Sequence, residues 1–457
     1  MRHAKSARSN RSLLQARERE AGGWAFRKLK CRRGGEKSVV VGAGGGLGCW
    51  RSSNGCASDG KSGGHGFGHG TGFFQPFSAI ALATESRKRV ELCLSRNGPF
   101  GNADFASKGG RASPEWKERP IVKSRERVTR AIHFQSPDRI PISHGILPSV
   151  QYAYGDALKA VIDKVHEDFG WDLLPDLPAD KLPAMYRPGL HTDEFGTVWN
   201  VAEGGRCGIP AGYPIAEDWS NYSEYKWPEF TAGVPKYRFY SGHMAGKGDD
   251  YYARGGWIVF FEQMQQLHGF NATLMDLAEG RKEIYQLRDD LLEFNLNWLD
   301  KWMALDYQGL QFADDWGAQK ALLTSPKIFR EFFKPAYKAM FDKVKAAGLD
   351  VWFHSDGNIG EILPDLLELG VDVLNCQSSI IGLDKLKPMV GKMCFRTDLD
   401  RQHLLAHGTP AQVKRGVDEL FRALGTPQGG LIACGSVEDV PLENIAAMYE
   451  AFLEFRW

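Results

Sequence analysis

The stretch Leu349-Asp-Val-Trp-Phe-His-Ser-Asp-Gly-Asn-Ile359 decides the fold predicted for this 457-residue chain. It starts as an apolar run of β-branched and aromatic residues, which is typical of a buried parallel strand. At His354 it changes to polar residues grouped around Gly357, which indicates the loop after a strand. Ligands of α/β folds bind at the carboxyl ends of parallel strands. The stretch therefore predicts a strand that delivers polar groups to a binding site.

The polar residues His354 and Asp356 are candidate ligands for a metal ion or a substrate. They lie two positions apart, so in an extended backbone their side chains share one face and can reach the same atom. The alternative is structural: His354 is a hydrogen-bonded histidine at a strand end, and Asp356 caps the helix predicted from Glu361. Two residues alone leave both interpretations open.

Strand-like and helix-like segments alternate on both sides of this stretch. The predicted strands are 139–143, 257–262, 309–313, 349–354, 371–375, 392–396 and 430–434. The predicted helices are 124–133, with Ser124 as its cap, then 156–169, 273–278, 281–304, 326–347, 361–369 and 441–455. Such alternation predicts a single α/β domain, a (β/α)8 barrel of the TIM type with its strand ends at one mouth.

The segment 171–256 does not follow this alternation and reads as an irregular or antiparallel insertion. It is rich in aromatic residues, which either line an apolar substrate site or pack the insertion against the core. These residues are Trp199, Tyr213, Trp219, Tyr222, Tyr225, Trp227, Tyr237 and Tyr240.

The chain divides into two parts of different charge. Residues 1–111 hold 20 Lys+Arg and 7 Asp+Glu, a net charge of +13, so the remainder carries −12 within the total of +1. The glycine-rich, basic composition of residues 1–115 predicts a mostly disordered extension, because too little apolar surface is available to offset the entropy of ordering. Residues 116–457 are predicted to form the barrel. The extension also leaves organelle targeting open, whereas nucleic-acid binding is not favoured without a recognisable module.

Eight cysteines are spread along the chain without a CxxC pair, which favours reduced intracellular thiols over a disulfide framework. No apolar run approaches the roughly 18 residues of a membrane span. We therefore expect a cytoplasmic protein that does not enter a membrane.

Several motifs combine with the alternation to indicate a family. They are Arg125-Glu-Arg-Val128, Ser136-Pro-Asp-Arg-Ile-Pro141, Asp314-Asp-Trp-Gly-Ala-Gln319, Ser325-Pro-Lys-Ile-Phe-Arg-Glu-Phe-Phe-Lys-Pro335, Phe353-His-Ser-Asp-Gly-Asn-Ile359, Asp398-Leu-Asp400, His407-Gly-Thr-Pro-Ala-Gln-Val413, Cys434-Gly435 and Asp439-Val-Pro-Leu-Glu-Asn444. From about Arg125 onward, the chain resembles the uroporphyrinogen decarboxylase superfamily, which has a barrel fold.

The resemblance implies one of two chemistries. True uroporphyrinogen decarboxylases hold a polyacidic tetrapyrrole with an early arginine-bearing motif. Here Ile142-Ser-His-Gly-Ile-Leu-Pro148 occupies that place and contains no arginine. Since eight carboxylates call for several guanidinium groups, the pattern is closer to the other branch. Members of that branch are methyltransferases that exchange a methyl group with a corrinoid protein.

In the methyltransferase branch, zinc is bound by a His-x-Cys pair and a later cysteine, and the matching positions here are His354, Asp356 and Cys434. Asp356 replaces a thiolate, which makes a bound zinc ion more Lewis-acidic. The resemblance thus implies Zn2+, a corrinoid-protein partner, and a small donor whose methyl group leaves an oxygen, such as a methoxy compound. A porphyrinogen decarboxylase and a non-catalytic binding barrel are the alternatives.

Six further residues complete the predicted site. The catalytic candidates are Glu262, Asp314 and Asp315, and the substrate-binding candidates are Gln377, Arg396 and Asp398. Each has a structural alternative. Glu262 is placed at a strand end, where it could cap the next helix, and Asp314 or Asp315 could cap helix 326–347. Arg396 and Asp398 could form a structural ion pair.

Overall fold

The computed structural model describes residues 26–30, 36–40, 122–170, 182, 184–229 and 250–457. The chain divides into two units, residues 1–109 and 110–457. In the first unit, strand β1 (Phe26–Lys30) pairs antiparallel with β2 (Glu36–Val40). The rest of the predicted extension, residues 1–115, lies almost wholly outside the described residues, so its disorder remains a prediction.

The second unit contains ten strands in its described part. They are β3 (Ile142–Ile146), β4 (Gly189–Thr192), β5 (Val198–Val201), β6 (Ile209–Gly212), β7 (Arg254–Ile258), β8 (Gly309–Ala313), β9 (Asp350–Ser355), β10 (Val373–Cys376), β11 (Cys394–Thr397) and β12 (Leu431–Val437). Seven of them form one curled parallel sheet in the order β3-β12-β11-β10-β9-β8-β7. With helices around this sheet, the predicted α/β barrel class is confirmed.

The helices of the second unit follow the strands as a barrel requires. Its described α-helices are α1 (Ser124–Ile132), α2 (Pro148–Ile162), α3 (Phe261–His268), α4 (Phe270–Glu279), α5 (Lys282–Met303), α6 (Pro326–Ile328), α7 (Lys334–Ala346), α8 (Leu363–Glu368), α9 (Ser378–Ile381), α10 (Leu383–Leu386), α11 (Leu404–His407), α12 (Pro410–Leu424) and α13 (Leu442–Glu454). A π-helical turn (Phe329–Phe333) joins α6 to α7. Among the described helices, none combines the length and the apolar character that crossing a membrane requires.

The short segment around Asp168 lies at the position where the predicted barrel requires an eighth strand, between β3 and β7. The amide of Asp168 donates to the carbonyl of Ile142 in β3 (2.9 Å), and the amide of Tyr252, just before β7, donates to the carbonyl of Asp168 (3.4 Å). The segment therefore connects the two edge strands of the seven-stranded sheet.

Residues alternate between two faces of the curled sheet. On β9, Val351 and Phe353 belong to the main apolar cluster beneath the surrounding helices. Trp352 belongs to a second, smaller apolar cluster, so it and His354 share the opposite, inner face. The parallel register sets His354 beside Asn375 of β10. The inner face thus has an apolar lower part and a polar upper part at the carboxyl ends of the strands.

The aromatic insertion is antiparallel where it is described, as predicted, with sheet order β4-β5-β6. Its tryptophans pack: Trp199 and Trp219 are buried, and their indole nitrogens donate to Asp193 and Asp276 at 2.7 Å. The hydroxyl of Tyr225 donates to the carbonyl of Phe195 (3.0 Å). These contacts favour the packing interpretation over a substrate site. Tyr237 and Tyr240 lie outside the described residues.

Some local predictions were wrong. Helix α1 is capped at Lys123, and the Ser124 hydroxyl instead donates to Asp168 at 2.9 Å. The helix predicted at 156–169 is α2, which begins earlier because Pro148 is favoured in a first turn. The strand predicted at 257–262 ends at Ile258, where the backbone turns into α3.

Candidate active site

His354, on the inner face of β9, has a defined tautomer. The Asn375 side-chain amide donates to the carbonyl of Arg396 (2.6 Å), and Asn375 Oδ1 accepts from Arg396 Nη1 (3.0 Å). Arginine only donates, so this atom is an oxygen. His354 Nδ1 lies 2.7 Å from the same oxygen and must donate to it. The neutral ring therefore leaves the lone pair of Nε2 facing the mouth, which is the arrangement a metal-binding histidine needs.

Two carboxylates lie near the Nε2 atom of His354. His354 Nε2 is 3.5 Å from Asp315 Oδ1 and 3.8 Å from Asp356 Oδ1. One ligand atom from each of the three residues lies within 4.8 Å of the others. One imidazole nitrogen and two carboxylate oxygens form an ordinary donor set for zinc, and their two negative charges match a divalent cation. The group fits a metal ion with further positions open.

A glycine contact fixes the spacing of the two carboxylates. Gly317 lies in the loop after β8, and Gly357, with φ of +77°, lies in the loop after β9. A Cβ at Gly317 would come within 2.3 Å of the amide nitrogen of Asn358, so only glycine allows the two backbones to touch. The amide of Asp356 also donates to Asp315 Oδ1 (2.8 Å). The two loops are thus held together through their backbones.

Arg401 neutralises part of this acidic region. Its Nη2 donates to both oxygens of Asp356 at 3.0 Å, and its Nε lies 3.5 Å from Asp398 Oδ2. Burial opposes the charge of Arg401, yet Asp398 and Asp356 raise its pKa overall. The helix after β9 begins at Leu363 without a side-chain cap, so Asp356 is an ion-pair partner and not the predicted helix cap.

The surroundings of Glu262 raise the pKa of its carboxyl group. It lies in the first turn of α3, not at a strand end. Burial raises its pKa well above the usual value, and the charges of Asp315, Asp314 and Asp356 raise it further. Burial and Asp356 also raise the pKa of Asp315. A carboxyl group with a raised pKa is better suited to act as a general acid than an ordinary glutamate.

Asp314 has a structural role in the fold. Its carboxylate accepts from the amides of Phe260 (3.0 Å) and Glu262 (2.7 Å) at the start of α3, and from the hydroxyl of Tyr337 (2.6 Å). Burial raises its pKa to about 7, although these donors favour the ionised form. Asp314 therefore caps α3, whereas the predicted helix at 326 is capped by Ser325.

The three predicted substrate-binding residues, Gln377, Arg396 and Asp398, have different contacts. Gln377 Oε1 accepts from the amide of Gly357 (2.8 Å) and so supports the loop after β9. Arg396 is buried on β11 and contacts Ser143 and Asn375, so it does not form the expected pair with Asp398. Burial raises the pKa of Asp398.

Cys434 is buried on β12, three strand positions from β9, and does not belong to the group of Asp315, His354 and Asp356. It lies beside Asp398, whose pKa it lowers. Its predicted role as a metal ligand stays a prediction. Sequence reasoning had not assigned metal binding to Asp315, although the Asp314-Asp315 pair follows β8 as His354 follows β9.

Two functional neighbours were missed. Arg401 directly follows the motif Asp398-Leu-Asp400, so its charge beside the acidic residues was the available signal. Asn375 lies on β10, next to β9, but only the register places it against His354. Trp257 forms a wall of the same site, with its ring centroid 5.4 Å from that of His354.

Comparison with known proteins agrees with this architecture. Residues 254–455 match the family model described as uroporphyrinogen decarboxylase (URO-D). A curated uroporphyrinogen decarboxylase of Thermus thermophilus is 29% identical over 154 residues, which is 32% of this chain and 41% of the relative. A solved methyltransferase from Methanosarcina mazei superposes with a TM-score of 0.53 at 16% identity, covering 73% of this chain and 98% of that protein.

A (β/α)-barrel domain with its polar residues at the carboxyl ends of the strands is the class that fold and site define. Residues 254–455 are similar to the uroporphyrinogen decarboxylase family, and the resemblance predicted from the motifs is confirmed. The superfamily consists of enzymes, decarboxylases and methyltransferases among them. The aligned region spans less than half the length of the curated relative, and the likeness to the methyltransferase establishes the fold alone.

Proposed function

We propose that this protein is a zinc-dependent methyltransferase that moves a methyl group between a small methoxy donor and a corrinoid protein. The observation that carries the proposal is the tautomer of His354. Asn375 occupies Nδ1, so the lone pair of Nε2 is directed at Asp315 and Asp356. A hydrogen-bonded histidine of purely structural use needs no such pair of carboxylates.

The metal ligands of this proposal are His354, Asp315 and Asp356. Zinc bound there would supply Lewis acidity to the oxygen from which the methyl group departs. Arg401 holds Asp356 in place and offsets its charge. Glu262, whose pKa is raised by burial and by its acidic neighbours, donates a proton to the departing oxygen. The corrinoid protein accepts the methyl group, and Trp257 forms one wall of the donor site.

Zinc content and methyl transfer test the proposal together. The full chain would be purified as wild type, His354→Ala, Asp315→Asn and Cys434→Ala, with exposed His407→Ala as the matched histidine control. Metal would be measured by elemental analysis, and transfer by the formation of methylcobalamin from cob(I)alamin and a methoxybenzene. We expect near-stoichiometric zinc in wild type and His407→Ala. In His354→Ala we expect loss of zinc and an activity at least about 100-fold lower.

The other outcomes separate the ligands and the alternative function. Loss of zinc in Cys434→Ala with retention in Asp315→Asn would replace Asp315 by Cys434 in the ligand set. Absence of zinc from the wild type, even after zinc is added, would overturn the mechanism. The decarboxylation of a porphyrinogen would then be measured directly, because the family match and the curated relative favour it as the second candidate.

A further inference from the structure

Two arginines point into the barrel from its inner face. Arg396 of β11 is only 7% exposed, and its Nε and Nη1 donate to Ser143 Oγ (3.2 Å) and Asn375 Oδ1 (3.0 Å). Arg254 is the first residue of β7, and its guanidinium lies 4.9 Å from the ring centroid of Trp352. Its Nη1 is buried without a hydrogen-bond partner among the described residues.

Among the residues that the structure describes, neither arginine has a carboxylate partner. Within the described ranges, no ion pair joins Arg254 or Arg396 to an acidic side chain, although Glu167 and Asp398 lie near them. Burial and the neighbouring charge of Arg396 lower the pKa of Arg254 to about 9. Buried charges of one sign without counter-ions are costly, and folded proteins seldom retain them without a compensating group.

We infer that Arg254 and Arg396 together bind one carboxylate group of the substrate inside the barrel. That the anion belongs to a substrate rests on the proposed function, whereas the anion site itself does not. Guanidinium groups bind carboxylates through paired, charge-assisted hydrogen bonds. One such group would satisfy the buried Nη1 of Arg254 and would offset the repulsion between the two arginines.

The site lies one side chain away from the metal ligands. Asn375 Oδ1 accepts from both Arg396 Nη1 and His354 Nδ1, so the anion site and the metal-binding nitrogen lie on either side of a single amide. The walls include the rings of Trp352 below and Trp257 above. An aromatic carboxylic acid is the substrate class that two guanidinium groups and these rings match. Two guanidinium groups serve one anionic group and not the eight of a tetrapyrrole.

Calorimetry on the full, metal-stripped chain tests this inference. The probes are benzoate, its neutral isostere benzamide, and inorganic phosphate, all at constant ionic strength. The proteins are wild type, Arg254→Met, Arg396→Met and Arg254→Lys, with the exposed Arg422→Met as control. We expect wild type to bind benzoate roughly 10- to 100-fold more tightly than benzamide. Each methionine variant should lose this preference, Arg254→Lys should keep part of it, and Arg422→Met should keep all of it.

A measurement without any ligand guards against misfolding of the variants. Because it removes a repulsive buried charge, Arg254→Met should unfold at the same or a higher temperature than wild type, whereas a purely structural Arg254 would make the variant less stable. Absence of benzoate binding, equal affinity for benzamide, or a preference retained in Arg254→Met would overturn the inference. Phosphate bound as tightly as benzoate would overturn the assignment to a substrate carboxylate.

The metal experiment and this one can fail separately. A zinc-free wild type that still prefers benzoate would retain the anion site and overturn only the proposed methyl transfer. A zinc-binding wild type that does not discriminate benzoate from benzamide would overturn the anion site and leave the proposed methyl transfer standing.

Discussion

The carboxylates at the two ends of the barrel have opposite surroundings. At the amino ends of the strands, the buried Asp168 accepts from Arg127 at 2.7 Å and Arg139 at 2.8 Å, and also from Ser124 and the amide of Ile142. At the carboxyl ends, Asp315 and Glu262 crowd together with few donors, and burial raises the pKa of both. The paired end, around Asp168, supports the fold. At the crowded end, around Asp315 and Glu262, a cation or a proton would offset the repulsion between the carboxylates.

The largest expected effect is at the paired end. Asp168→Ala removes a carboxylate partner from the buried Arg127, which keeps Asp138, and from the half-buried Arg139, so we expect the free energy of unfolding to fall by about 3 kcal/mol. Urea denaturation monitored by circular dichroism would measure it. The exposed pair offers a matched control, because Asp418→Ala removes only a surface partner of Arg422 and should cost less than about 1 kcal/mol. Equal losses in the two variants would show that Asp168 is not a structural centre.

A pH series sharpens the comparison, because a buried histidine near the paired end also responds to acid. Burial lowers the pKa of His144 to about 4. The unfolded chain takes up this proton first, so the contribution is fully present above about pH 6.5 and declines as the pH falls toward 4. The loss amounts to about 3 kcal/mol.

The variant His144→Gln, which keeps a hydrogen-bond partner for Tyr449, isolates that contribution. Its free energy of unfolding should depend less on pH than that of wild type between pH 6.5 and 4. An unchanged pH profile would assign the acid sensitivity to carboxylates instead.

At the crowded end, loss of a carboxylate should not destabilise the metal-free protein. Asp315→Asn removes one of several like charges, so the metal-free protein should be as stable as wild type or more stable by up to about 1 kcal/mol. The same variant should lose zinc. Thermal unfolding of metal-stripped protein measures the first effect, and elemental analysis the second. Destabilisation by more than about 2 kcal/mol would place Asp315 with the structural carboxylates.

The smallest expected effect is at the amino end of β9. His133 Nε2 lies 3.1 Å from Asp350 at the start of β9, and this hydrogen bond raises the pKa of the histidine. Its stabilisation is present below about pH 6.5 and is lost as the pH rises through the higher, folded value. Since His133 is partly exposed, we expect only a few tenths of a kcal/mol. His133→Gln should remove this loss between pH 6 and 9; a larger change would contradict the ion pair.

Local patterns predicted the strands of the barrel well, because buried parallel strands have a strong apolar signature. Strand β8 was predicted with its observed bounds, and β9 within one residue. The signature fails where the backbone turns early: Val259, Phe260 and Phe261 are typical of a strand, yet Asp314, 52 residues from Glu262, accepts from the amides of Phe260 and Glu262 where the helix begins at Phe261. A contact so distant in sequence leaves no local pattern.

The site was predicted in the same unequal way. His354 and Asp356 could be paired from their spacing alone, since alternation puts them on one face. Asp315 could not be joined to them, because the approach depends on two loops from different strands that meet at Gly317 and Gly357. Likewise, Asn375 matters only through the register of β10 against β9. Sequence spacing describes one strand at a time, whereas a site at a barrel mouth is built across strands.

The contact between Gly317 and Gly357 has a consequence for how such a site can evolve. The contact uses backbone atoms of both glycines and the backbone amide of Asp356, so a change of the Asp356 side chain leaves it in place, whereas Asp315 takes part through its carboxylate. A substitution at position 356 would therefore alter the donor set for an ion without separating the loops. A larger residue at Gly317 or Gly357 would instead force the two loops apart.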